Sequence, residues 1–106
     1  MCMIIPIDNL PDRPLDAAAE FHAIHLPKIR HDIHAVPKSN LVLVFEFAGP
    51  AHHAWRLAVI QELARELAPM RVNAVVGSDK HDLDEAILFC NDAPGITGQL
   101  LSVQNG

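Results

Sequence analysis

The chain has 106 residues, half of them apolar, with eight Lys and Arg against thirteen Asp and Glu for a net charge of −5. That length and apolar content suit one small domain with a single core. A net negative chain without a basic cluster lacks the electrostatic footprint of a nucleic-acid or anionic-membrane binder. The longest uninterrupted apolar run, Leu41 to Phe45, is far short of the ~20 residues that span a bilayer. Two cysteines, Cys2 and Cys90, cannot build a disulfide framework, so a soluble, cytoplasmic protein is expected. Seven histidines are the compositional oddity.

Pro and Gly punctuate the chain into alternating short and longer segments. Met3 to Ile7, Leu41 to Phe47, Val72 to Val76 and Leu100 to Val103 are apolar runs of strand length. Runs without polar alternation read as strands covered on both faces, which belong to parallel sheets, and the stretches between them are long enough for crossover helices. Asp16 is placed to cap a first helix over about 17–35, with Ala18, His22, Leu26, Ile29, Ile33 and Val36 as its apolar stripe and Pro27 marking a kink or late start. A second helix is expected over about 51–68, its sheet-facing stripe being Leu57, Ile60, Ala64 and Leu67. Trp55, Ala58 and Val59 then fall among Arg56, Glu62, Arg65 and Glu66 on the opposite side, an apolar outer face that predicts self-association as a dimer or tetramer. A third, short helix is expected over about 83–90, with the acids Asp79, Asp82 and Asp84 suiting its N-terminus. The order is β-α-β-α-β-α-β, an α/β fold of about four mostly parallel strands and three helices in two or three layers.

Two stretches carry a family resemblance. Glu62 to Gly77, ELARELAPMRVNAVVG, resembles the short-chain dehydrogenase/reductase pattern of a helix ending L-A-x-E-L-A followed by R-V-N-A-V-x-P-G. In the tail from Ile87 to Gly106, Asp92, Thr97, Gly98 and Gln99 match that family's D-x-x-x-x-T-G-Q closing segment. The resemblance covers about residues 36 to 106 and implies a truncated Rossmann-like sheet that corresponds to the C-terminal half of the family's fold. The glycine-rich turn that lets backbone amides reach a pyrophosphate has no counterpart here, and Asp8-Asn9-Leu10-Pro11 stands where the family has N-N-A-G. Carried over one position at a time, the resemblance places the family's Tyr at Gly49, its Lys at His53, its Ser at about Glu46 and its Asn at about His25. The family's chemistry needs a phenol made acidic by a nearby ammonium, and the chain contains no tyrosine. No cofactor is expected.

The carboxyl edge of such a sheet collects Asp8 and Asn9, His52 and His53, and Asp79, His81 and Asp82. His52, His53, His81 and Asp79 are the candidates for a metal site, with solvated loop residues as the reading adopted, because their spacing matches no metal motif. His22 with His25, and His31 with His34, have the i, i+3 spacing that can bridge a metal, but core or interface histidines are the commoner outcome. Cys90 reads as a small core residue. Glu46 is a strand-end carboxylate that reaches solvent or Arg71, or else a catalytic acid. The expected function is a non-catalytic binding or structural module. The alternative is an oxidoreductase component that completes a nicotinamide site with a full-length dehydrogenase-like partner, with His53, Glu46 and His25 as the residues to suspect. A small metal- or ligand-binding protein is a third possibility.

Overall fold

A computed structural model describes residues 2–35 and 40–103, so the stripe position assigned to Val36 lies outside the described residues. Strand β1 (Cys2–Ile7) leads into helix α1 (Pro14–Glu20), a π-helical turn (Phe21–His25) and helix α2 (Leu26–Ala35), which run as one rod. Strand β2 (Asn40–Phe45), a 3-10 turn (Pro50–His52) and helix α3 (His53–Leu67) follow. Strand β3 (Arg71–Val76), helix α4 (Lys80–Asp92) and strand β4 (Leu100–Ser102) complete the chain. The four strands form one sheet in the order β1-β2-β3-β4, every neighbouring pair parallel, which is the expected Rossmann-like α/β arrangement.

Strand pleating sends alternate residues to two cores. Ile7, Leu41, Leu43, Phe45, Val72, Ala74 and Val76 pack beneath the α1–α2 rod and α3, while Val42 and Val75 pack beneath α4 with Ala86 and Cys90. The sheet is therefore the middle of three layers. Because α4 lies on the face opposite α3 while the strand order advances by one place each time, the third crossover has the opposite hand to the first two. One face of β1 is thinly covered, where Ile4 is 49% exposed beside the exposed Pro6.

Two helical phases differ from expectation. The π turn acts like one inserted residue, so Ala17 and Phe21 are buried in place of Ala18 and His22, while Ile29 and Ile33 beyond it stay in phase. The backbone N–H of Leu26 donates to Phe21 across this wide turn, directly before Pro27, whose ring would crowd a regular α-helical carbonyl. In α3 the buried residues are Arg56, Val59, Ile60 and Leu63, with Leu57 only partly covered. Trp55 and Val59 thus do not form an outer face: Val59 is 7% exposed in the core, and Trp55 packs against Phe21 and Phe45 with ring centroids 5.7 and 5.8 Å away. The rod lies beside α3 and draws that flank inward. Of the three expected interface residues, Ala58 is exposed, Trp55 is half-buried and Val59 is buried.

The first helix also begins earlier than expected, at Pro14 after Arg13, leaving Asp16 in the first turn rather than at the cap. Helix α4 begins at Lys80 because the Asp79 carboxylate accepts the Asp82 backbone N–H at 3.0 Å, a side-chain cap. The T-G-Q segment has a structural use. Thr97 Oγ1 accepts from the Val72 amide at 3.1 Å, the Gly98 amide donates to Val72 at 2.7 Å, and buried Asn73 donates to the Ile96 carbonyl and accepts from the Gln99 amide. Those bonds dock the short β4 on β3.

Candidate functional site

Residues that follow β1, β2 and β3 converge at the carboxyl edge, where open α/β sheets bind ligands. Two cavities meet there. One, of about 370 Å³, is lined by Phe47 to Pro50, His53, Arg56, Val76, Leu100 and Ser102. The other, of about 300 Å³, lies toward β1 and is lined by Leu10 to Asp12, Glu46 to Ala48, His52 and Arg56. The segment after β2 and the Arg56 side chain belong to both.

Arg56 is the residue that sequence reasoning missed. Its charge assigned it to solvent, yet it is 4% exposed. The guanidinium carbon stands 4.6 Å from the centroid of Phe45 and 5.7 Å from that of Trp55, within range of cation–π attraction. Nη1 donates to the Glu46 backbone carbonyl at 3.0 Å, while the buried Nε has no hydrogen-bond partner. Burial pushes the Arg56 pKa below its ordinary value, and the nearby Glu46 carboxylate pulls it partly back. The only sequence signal for this residue was an arginine flanked by apolar side chains in the first turns of a helix.

Glu46 is exposed, and its Oε1 accepts the backbone N–H of Asn9 at 3.2 Å, tying the loop after β1 to the loop after β2. Asn9 holds the left-handed conformation at φ 63°, one that asparagine tolerates better than most residues. Glu46 does not reach Arg71. Parallel strands put the end of β2 and the start of β3 at opposite edges of the sheet, and Arg71 donates instead to the Ala93 carbonyl at 2.7 Å.

His52 is buried with both ring nitrogens engaged. Trp55 Nε1 can only donate, and it does so to His52 Nδ1 at 3.0 Å, so the hydrogen on Nε2 is the one given to the Asp12 carbonyl at 2.9 Å. No lone pair is left for a metal, which removes His52 from the candidate ligands. His81 pairs with Glu85 one turn along α4, and Asp79 caps that helix, so both are engaged away from His53. Among the described residues no three His, Cys, Asp or Glu side chains converge as metal ligands. His22 Nδ1 donates to the Ala18 carbonyl at 2.7 Å, and His25 stacks on Phe21 at 6.0 Å. His25 lines neither cavity, so of the three residues suspected for catalysis His53 and Glu46 reach the edge, on different cavities. Cys90 is buried under the sheet, where burial raises its thiol pKa.

Gly49 precedes the 3-10 turn with φ 87° and ψ 167°. Essentially only glycine adopts that conformation. The position that the resemblance aligns with a catalytic tyrosine is therefore built on a backbone shape that disfavours every side chain.

A parallel three-layer α/β sheet with a cleft at its carboxyl edge defines a Rossmann-like domain. A family model described as short chain dehydrogenase-like protein, SDR-like, matches residues 5–103. The chain belongs to this family. No curated protein and no solved structure matches it. Among the described residues, no helix is long and apolar enough to cross a membrane.

Proposed function

We propose that the chain is a non-catalytic member of its family, a module that binds a small molecule in the cleft beside Arg56. The backbone of Gly49 is the observation that carries this reading. A nicotinamide-dependent proton transfer needs a donor matched to the alkoxide and a charge that tunes it. At the aligned positions stand a glycine in a glycine-only conformation and His53. No glycine-rich turn follows any of the four strands, and Gly49 is followed by Pro50, which donates no amide hydrogen to a phosphate. Calorimetry with oxidised and reduced forms of both nicotinamide dinucleotides tests it, the expected result being no binding heat. A dissociation constant in the low micromolar range, about −8 kcal/mol, sinks the reading and favours a site completed with another dehydrogenase-like chain.

The proposal extends to assembly and compartment. Both cysteines are free thiols, which supports the reducing cytoplasm. Self-association is supported by the unpaired edge and thinly covered face of β1, and by the groove where Ala58 lies between Leu26, Trp55 and Val59, with Glu62 and Glu66 beyond. Trp55 belongs to the core, so Ala58 is the position to change. Ala58→Glu is expected to leave the thermal midpoint close to wild type and lower the mass in light scattering. A wild type that is monomeric at micromolar concentration contradicts self-association.

A further inference from the structure

The identity of the ligand follows from a mismatch in the cleft, and rests on the reading of that cleft as a binding site. A guanidinium offers five N–H donors in a planar fork. Among the described residues, no carboxylate lies within 4.0 Å of Arg56, and its named partners are one carbonyl and two aromatic faces. A cation withdrawn from water this far, with its Nε–H unpartnered and only the solvent-exposed Glu46 carboxylate to offset part of its charge from beyond ion-pair distance, is costly unless another group supplies further charge and acceptors.

The two cavities that touch Arg56 differ in what they can accept. The cavity toward β1 carries Glu46 and Asp12, which repel an anion. The cavity toward β4 has no acidic residue in its wall: Phe47, Val76 and Leu100 are apolar, and His53, Arg56 and Ser102 are the polar side chains. We propose that this second cavity binds a small organic monocarboxylate, its head group on the Arg56 fork and its apolar body against Phe47, Val76 and Leu100. One arginine balances a single negative charge. A phosphate dianion would bring a second charge into a wall without lysine or a glycine-rich turn, and it binds more weakly. The volume, about 370 Å³, falls at the lower end of small-molecule sites, which are mostly apolar with a few placed polar groups.

Trp55 is the chain's one tryptophan and adjoins Arg56, so its emission reports occupancy without a label. Benzoate and hexanoate are titrated at constant ionic strength, with benzamide as the neutral counterpart and inorganic phosphate as the competing anion, and calorimetry repeats the benzoate titration. Benzoate is expected to saturate with a dissociation constant below about 1 mM, at least about tenfold tighter than benzamide or phosphate, because a charge-assisted fork is the stronger hydrogen bond. Arg56→Met is expected to abolish that preference while keeping a thermal midpoint equal to or above wild type, since an apolar isostere relieves a buried charge. A merely structural arginine predicts a lower midpoint instead. Should Arg56→Met not fold, Ser102→Trp, at an exposed position on the cavity wall and read by calorimetry because it adds a second tryptophan, gives the second answer by excluding benzoate. Equal affinity for benzoate and benzamide, no saturation by either carboxylate at about 10 mM, or wild-type binding by Ser102→Trp overturns the proposal. Dinucleotide binding that leaves the benzoate titration unchanged would remove the non-catalytic reading and leave the carboxylate site standing.

Discussion

Truncating Phe21 to alanine is expected to cost about 3–5 kcal/mol of unfolding free energy, the range for deleting a buried aromatic ring. A domain of this size holds only about 5–15 kcal/mol in total, so the variant approaches the edge of stability. Phe21 is wholly buried, and its ring meets His25, Phe45 and Trp55 at centroid distances between 5.7 and 6.0 Å. The cavity left behind would open where the rod α1–α2, the sheet and α3 meet, between the π turn and the central strand β2. Little can collapse into it. Urea unfolding followed by circular dichroism measures the loss, because Trp55 emission changes for local reasons when its neighbour is removed. Leu15→Ala is the control: at 85% exposed it should stay within about 0.5 kcal/mol of wild type. A loss below about 1 kcal/mol for Phe21→Ala would mean that the rod is not seated on the sheet as described.

Phe21 also illustrates why the sequence conveyed the layers more clearly than the faces. The four strands were legible because β2 and β3 are buried on both sides and read as unbroken apolar runs bounded by Pro and Gly. A helical stripe, by contrast, presupposes a constant 100° per residue, and a π turn spends one extra residue that no local preference announces. A constant period therefore puts His22 on the core stripe where Phe21 belongs. In α3 the period holds and the phase does not, because the charged Arg56 lies on the buried side, with Val59 in the core and Trp55 packed on Phe21 and Phe45. The hand of the last crossover left no local trace, since it depends on which face α4 covers and not on what α4 is made of.

The site was legible by position but not by role. Loops after parallel strands meet at one edge, and His52 and His53 lie there, with Glu46 beside them just past the end of β2. What each does depends on partners far away in the chain: the Asp12 carbonyl for His52, the Asn9 amide for Glu46, the ring of Phe45 for Arg56. Spacing along the sequence carries no information about such partners. Thr97 to Gln99 shows the converse, a motif that marked the family and whose visible work is to hold β4 against β3.

Gly49→Tyr is expected to lower the stability by about 1–3 kcal/mol and to restore no activity, alone or with His53→Lys. The space beside Gly49 is open, with no atom within 4 Å of where a Cβ would stand, so the penalty is not a clash with neighbours. It comes from the backbone, held at φ 87° and ψ 167° because the chain must leave β2, skirt the cleft and enter the 3-10 turn that orients α3. Gly49→Ala isolates that term and should show most of the loss. Gly95→Ala, equally free of neighbours and without a positive φ, should lie within about 0.5 kcal/mol of wild type. Equilibrium unfolding of the three variants in parallel checks the order. The double variant adds a phenol and an ammonium but no amide cradle for a pyrophosphate, so it is expected to give no change in nicotinamide absorbance with alcohol or ketone substrates. An alanine at position 49 as stable as wild type would show that the turn relaxes readily. Hydride transfer by the double variant would then mean that the cleft keeps a dinucleotide site whose acid can be put back, and the chain would read as a disarmed enzyme and not a binding module.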